Sequence, residues 1–129
     1  MTRGPLNGFL ARNGRTLRRM CRIGFAVSIV AIVVLSLIPG DDMPDVRVSD
    51  KIGHLVAYAE IVLLGILGHP GRTLAFAVLT GVAALGGLLE IGQIYVPGRS
   101  ADIVDFAVNC LGMLIGYASA RLAGAVSRA

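Results

Sequence analysis

EIGQIYVPGRSADIVDFAVN, residues 90–109, lies between two of the most apolar parts of the chain, yet it holds a Glu, a Gln, an Arg, two Asp and an Asn. At its centre Pro97 presets the first corner of a tight turn and Gly98 supplies the positive φ of the second. The flanking runs, about Leu74 to Val96 and Ile103 to Leu122, approach the roughly 20 apolar residues that cross a bilayer. The stretch therefore reads as a hairpin of two transmembrane helices with polar groups near its tip. Glu90 stands seven residues before Pro97, about 10 Å below the helix end at 1.5 Å per residue, with Gln93 one turn higher. Asp105 falls in the first turn of the returning helix and Asn109 one turn deeper, so the two helices bring polar layers to matching depths. Ser100 is expected to cap that returning helix.

Composition agrees with a membrane chain. Of 129 residues, 55% are hydrophobic and 16% charged, and mean hydropathy is +0.76. Its 17 glycines suit closely packed transmembrane helices. Two further apolar runs, about Ile23 to Ile38 and Ile52 to Leu67, complete four spans. The first follows Arg12, Arg15, Arg18, Arg19 and Arg22 and resembles a signal peptide, but LSLIPGDDMPDV after it has no small-x-small cleavage site, so it reads as a retained anchor. The expected fold is an all-α, compact bundle of four transmembrane helices, with 1–22 a basic tail and 23–129 the membrane domain. Arginines next to short loops stay cytoplasmic. Both termini are therefore expected inside, in the inner or cytoplasmic membrane, and the loop Pro39–Lys51 and the turn 96–102 outside. Asp41, Asp42, Asp45 and Asp50 against Arg47 and Lys51 in the first outer loop agree. The pI near 9.7 reflects this topology and calls for no nucleic acid. Cys21 and Cys110 fall at different depths, which disfavours a disulfide.

SDKIGHLVAY, residues 49–58, descends from the same side, with Asp50 and Lys51 at the rim and His54 one turn in. Lys51, His54 and Tyr58 share a helical face, Glu90 pairs with Gln93, and Asp102, Asp105 and Asn109 form a third stripe that Gly112 and Gly116 continue inward. Three helices are thus expected to converge on one polar site, with the glycines admitting a neighbouring helix just below it.

These segments resemble the VanZ-like integral membrane proteins, a family named for a protein linked to low-level resistance to the glycopeptide teicoplanin. DKIGHLVAY at 50–58, LLEIGQ at 88–93, PGRSADIVDFAVN at 97–109 and LGMLIG at 111–116 carry the resemblance, which spans roughly Leu35 to Tyr117. Asp50, Lys51, His54, Glu90, Gln93, Arg99, Asp105 and Asn109 match the family's positions, and Asp102 looks like an additional acid. The resemblance implies the fold, the membrane location and a tie to cell-envelope stress or glycopeptide tolerance, and supplies no reaction.

Chemistry is read from the residues. Glu90, Asp105 and His54 are candidate acid, base and proton carrier, because burial raises a carboxyl pKa, a neighbouring cation lowers it, and the two carboxyls sit in different surroundings. Asp50, Lys51, Gln93, Arg99 and Asn109 are candidate ligand-binding groups, the cations for phosphate or carboxylate and the amides for orientation. The structural alternatives are plain: acids suit helix starts, Lys and Arg snorkel, and Gln and Asn bond between helices. A metal reading would use His54, Glu90 and Asp105, but no HExxH-type spacing backs it, and neither metal nor cofactor is assigned. The expected partners are the lipid bilayer and a lipid-linked envelope intermediate or a glycopeptide, with an oligomer left open. One reading is a binding module and the other a small membrane hydrolase or transferase on a lipid-linked substrate. Proton-coupled transport is disfavoured because only Glu60, for which no partner is evident, continues a polar path inward.

Overall fold

Apolar runs without internal proline have one way to satisfy backbone N–H and C=O groups in hydrocarbon, which is the helix. The computed structural model describes residues 5–42 and 50–126, which form α1 (Pro5–Leu37), α2 (Asp50–Gly68), α3 (Arg72–Gln93) and α4 (Ile103–Val126). Among the described residues, four stretches are long and apolar enough to cross a bilayer: Asn13–Leu37, Asp50–Gly68, Arg72–Gln93 and Ile103–Gly124. The chain is a multi-pass membrane protein, and its described residues hold helices and no strand. Asp45 and Arg47, used in the topology reading, lie outside the described residues.

Two boundaries differ from expectation. The arginine-rich segment continues α1 as helix, because Arg and Leu are good helix formers and no proline follows Pro5 before Pro39. At the other end, α3 stops at Gln93, and winding continues as i→i+3 bonds from the N–H groups of Ile94, Tyr95 and Val96. Pro97 disfavours the α region at Val96, and the tighter turn is the outcome. The turn then closes with Arg99 N–H on the Val96 carbonyl at 3.1 Å and φ +73° at Gly98.

The cap of α4 is a correction. Asp102, not Ser100, fills it, its Oδ1 accepting the Val104 N–H at 2.8 Å. A carboxylate in that position satisfies a free amide and suits the positive end of the helix.

Packing centres on α2, which meets the other three helices and lies closest to α4. Tyr58, Ile61 and Val62 of α2 are almost fully buried against Ile32, Val82, Leu89 and Met113. Close approach to α4 depends on two glycines. A Cβ at Gly112 would strike the Leu55 carbonyl oxygen, and one at Gly116 the Ala59 carbonyl oxygen. Large apolar side chains such as Phe76, Ile103, Leu114 and Leu122 cover the outside, while Ser36, Glu90, Gln93 and Asn109 are buried. Apolar outside and polar inside is the arrangement that lipid demands.

Arginines tie helix ends together. At one end Arg22 Nε donates to the Gly68 carbonyl at 2.7 Å, closing the end of α2. At the other, Arg99 Nη2 donates to Leu35 O at 3.0 Å and Nε to Ile38 O at 3.3 Å, while Gly40 N–H reaches Pro97 O at 3.0 Å. These bonds satisfy carbonyls that a helix C-terminus leaves open and clasp α1 to the α3–α4 hairpin. Glu60, for which the sequence offered no partner, accepts the Ser28 hydroxyl of α1 at 3.3 Å. Cys21 and Cys110 are free thiols.

Candidate functional site

At the end of the bundle that holds the α3–α4 turn, the N-terminal turns of α2 and α4 meet the C-terminal turn of α3. Lys51, at the start of α2, sets the rim. Its Nζ donates to Asp105 Oδ1 at 2.9 Å and to Asp102 Oδ2 at 3.3 Å. One helical turn deeper, His54 Nδ1 lies 2.9 Å from Asn109 Oδ1, and the ring stacks on Tyr58 with centroids 6.4 Å apart. An amide oxygen only accepts, so this pairing puts the proton on Nδ1 and leaves Nε2 with its lone pair when the ring is neutral. From α3, Glu90 Oε2 accepts the Asp102 N–H at 3.3 Å.

Burial grades across the cluster. The Lys51 side chain is 49% exposed and that of Asp105 18%, whereas Glu90 is 8% and Asn109 2% exposed as residues. Asn109 Nδ2 is buried with no hydrogen-bond partner among the described residues, which is costly and uncommon. Asp102, just before the span of α4, has its carboxyl held below the ordinary 3.8, first by the Val104 N–H and then by Lys51. His54, Glu90 and Asp105 each offer one ligand atom, and these atoms lie within 4.8 Å of one another.

Not every candidate from the sequence joins this cluster. Lys51, His54, Glu90, Asp105 and Asn109 come together. Gln93 turns to α1 and donates to Ser36 O at 3.4 Å, and the Arg99 contacts go to the carbonyls of Leu35 in α1 and of Ile38 just after it. Asp50 is exposed in the first turn of α2, and Gly112 and Gly116 lie deeper along α4. Asp102 was the residue that sequence reasoning undervalued: it caps α4, pairs with Lys51 and gives its N–H to Glu90. The signal available was its i, i+3 spacing to Asp105 just ahead of an apolar helix.

With Arg99 engaged elsewhere, Glu90, Asp102 and Asp105 face Lys51 as the one cation among the described residues, a formal balance of two negative charges when His54 is neutral. Such a set favours cations and hydrogen-bond donors. Beside it a groove of about 350 Å³ runs between α3 and α4, its walls Gly87, Ile91, Ile103 and Phe106 and its polar end Glu90 and Asp102.

No curated protein and no solved structure matches the chain. A model of the VanZ/LLP1 family matches residues 8–124, which include all four membrane-crossing helices and every residue of the cluster, and the chain therefore belongs to the VanZ/LLP1 family.

Proposed function

We propose that this protein binds an amphiphilic cell-envelope ligand, a lipid-linked wall intermediate or a teicoplanin-type glycopeptide, and so acts in envelope processes or glycopeptide tolerance. The observation that carries the reading is the adjoining of two unlike surfaces: an apolar groove of about 350 Å³ and the acid-rich cluster at its polar end. A volume in the range of small-molecule sites, open between two membrane helices, suits an acyl or prenyl chain or an apolar ring system. Glu90, Asp105 and the unused N–H of Asn109 suit a head group rich in amines, hydroxyls and amides. Phosphate recognition by Lys51 and Arg99 fits less well, since both cations already have oxygen partners. In this reading the cluster faces the outside of the inner membrane, as the basic residues around α1 favour.

A second reading has a specific support. The His54 imidazole held at Nδ1 by Asn109, with two carboxylates close by, is a geometry for acid–base catalysis on a lipid-linked substrate. One experiment separates the two. Purified protein in nanodiscs is offered teicoplanin and lipid-linked wall precursors, binding is followed by native mass spectrometry and products by chromatography. Retention without new products, weakened at least tenfold in Glu90→Gln, is the expected result; turnover abolished by Glu90→Gln selects the enzyme, and retention equal in wild type and Glu90→Gln contradicts both readings.

A further inference from the structure

Nothing in the linear order of His54, Glu90 and Asp105 marks them as a set, because each comes from a different helix. Together they supply one imidazole nitrogen and two carboxylate oxygens, all within 4.8 Å. Bonds of about 2.1 Å to a shared ion set ligand atoms roughly 3.4 Å apart, so the widest gap closes by no more than about 1.4 Å, within reach of small side-chain rotations. Each carboxylate also has an oxygen to spare: Glu90 uses Oε2 on a backbone N–H and Asp105 uses Oδ1 on Lys51.

Two independent features point to a ligand at this place. Asn109, 2% exposed, holds the imidazole through Oδ1 and leaves Nδ2 buried with no partner among the described residues, a donor waiting for an oxygen next to the cluster. That same Oδ1 fixes the tautomer in which Nε2 is free, the arrangement by which proteins orient and strengthen a metal-binding histidine. Charge is the second feature. Among the described residues, three carboxylates against Lys51 leave a formal deficit of two positive charges, which one divalent ion cancels.

We propose that His54, Glu90 and Asp105 bind a divalent transition-metal ion of the zinc or manganese type, with Asn109 as the residue that positions the imidazole and donates to an oxygen on the ion. A mixed nitrogen and oxygen set is poor for magnesium and calcium, which take oxygen ligands, and it has no thiolate or thioether for copper(I). Three protein ligands leave a coordination position for water or for an oxygen of a bound head group.

Zinc alone is the probe, so failure of this site and failure of ligand binding are read separately. Tag-free full-length protein in nanodiscs is stripped with chelator and titrated with zinc against a chromophoric competitor, and metal is counted after dialysis by mass spectrometry. One equivalent per chain is expected in wild type, with affinity lower at least tenfold in His54→Ala, in Asp105→Asn and in Glu90→Gln, and by about 10- to 100-fold in Asn109→Ala. His69→Ala and Glu60→Gln, outside the cluster, keep wild-type affinity. Cobalt in place of zinc shows d–d bands without sulfur charge transfer. His54 and Asp105 are less buried than Glu90, so their variants carry the test where Glu90→Gln does not fold. Wild type holding well below one equivalent, or affinity unchanged in His54→Ala and Asp105→Asn, overturns the site.

Discussion

Asp102 shows how much one side chain can join at a helix start. It accepts the Val104 N–H, pairs with Lys51 and passes its own N–H to Glu90, so α2, α3 and α4 meet at a single residue. Its carboxyl lies below the ordinary 3.8 chiefly through the Val104 N–H and secondly through Lys51. A lowered acid contributes stability above the unfolded value and loses it as pH falls through the folded one. Asp102→Asn keeps a capping oxygen but carries no charge. It should therefore melt below wild type at about pH 7, with the gap closing as pH drops under the usual carboxylate range; a gap independent of pH in detergent melting curves contradicts the assignment. Sequence placed Asp102 on the right face but could not choose between cap and bystander, because that depends on where the turn ends. The same limit applies to Arg99. Its spacing admits either the cluster or the end of α1, and the open carbonyls of Leu35 and Ile38 claim it.

Element pairing was legible where small residues set it. Gly112 and Gly116 repeat at i, i+4 below the polar stripe of α4, and their missing side chains let the Leu55 and Ala59 carbonyls of α2 come close. Gly112→Ala forces a methyl group against that carbonyl and should cost about 1–3 kcal/mol, the usual range for overpacking. Gly81→Ala has nothing within 4 Å of the added atom and should be neutral or gain up to about 1 kcal/mol, since alanine loses less backbone freedom than glycine on entering a helix. Equal melting temperatures for the two variants in the same detergent contradict this pairing of α2 with α4. Less legible were the ends. Continuation of α1 through its arginines follows from helix propensity, which a reading based on hydropathy alone leaves out, and the stop of α3 at Gln93 follows from Pro97 acting four residues downstream.

For the whole molecule, four apolar helices and the family match establish a multi-pass membrane protein, and the charge distribution sets the expected orientation. In a background with Cys21 and Cys110 replaced, Ser100→Cys, exposed beside the cluster, should react with an impermeant maleimide added to intact spheroplasts; labelling only after lysis reverses the topology. Convergence of three helices on one site was readable from helical phase, because Lys51, His54, Glu90, Asp105 and Asn109 repeat at spacings that fix faces and depths. The groove beside them was not, since its shape depends on how α3 and α4 splay around Phe106 and Gly87. The central claim is that this cluster is a working site and not helix glue, and glycopeptide susceptibility tests it most directly. A strain lacking the chain is complemented with wild type, Glu90→Gln or Asp105→Asn at matched membrane levels, and growth is measured against teicoplanin. Wild type restores tolerance and both variants leave the strain sensitive if the cluster does the binding; restoration by the two variants to the wild-type level contradicts it.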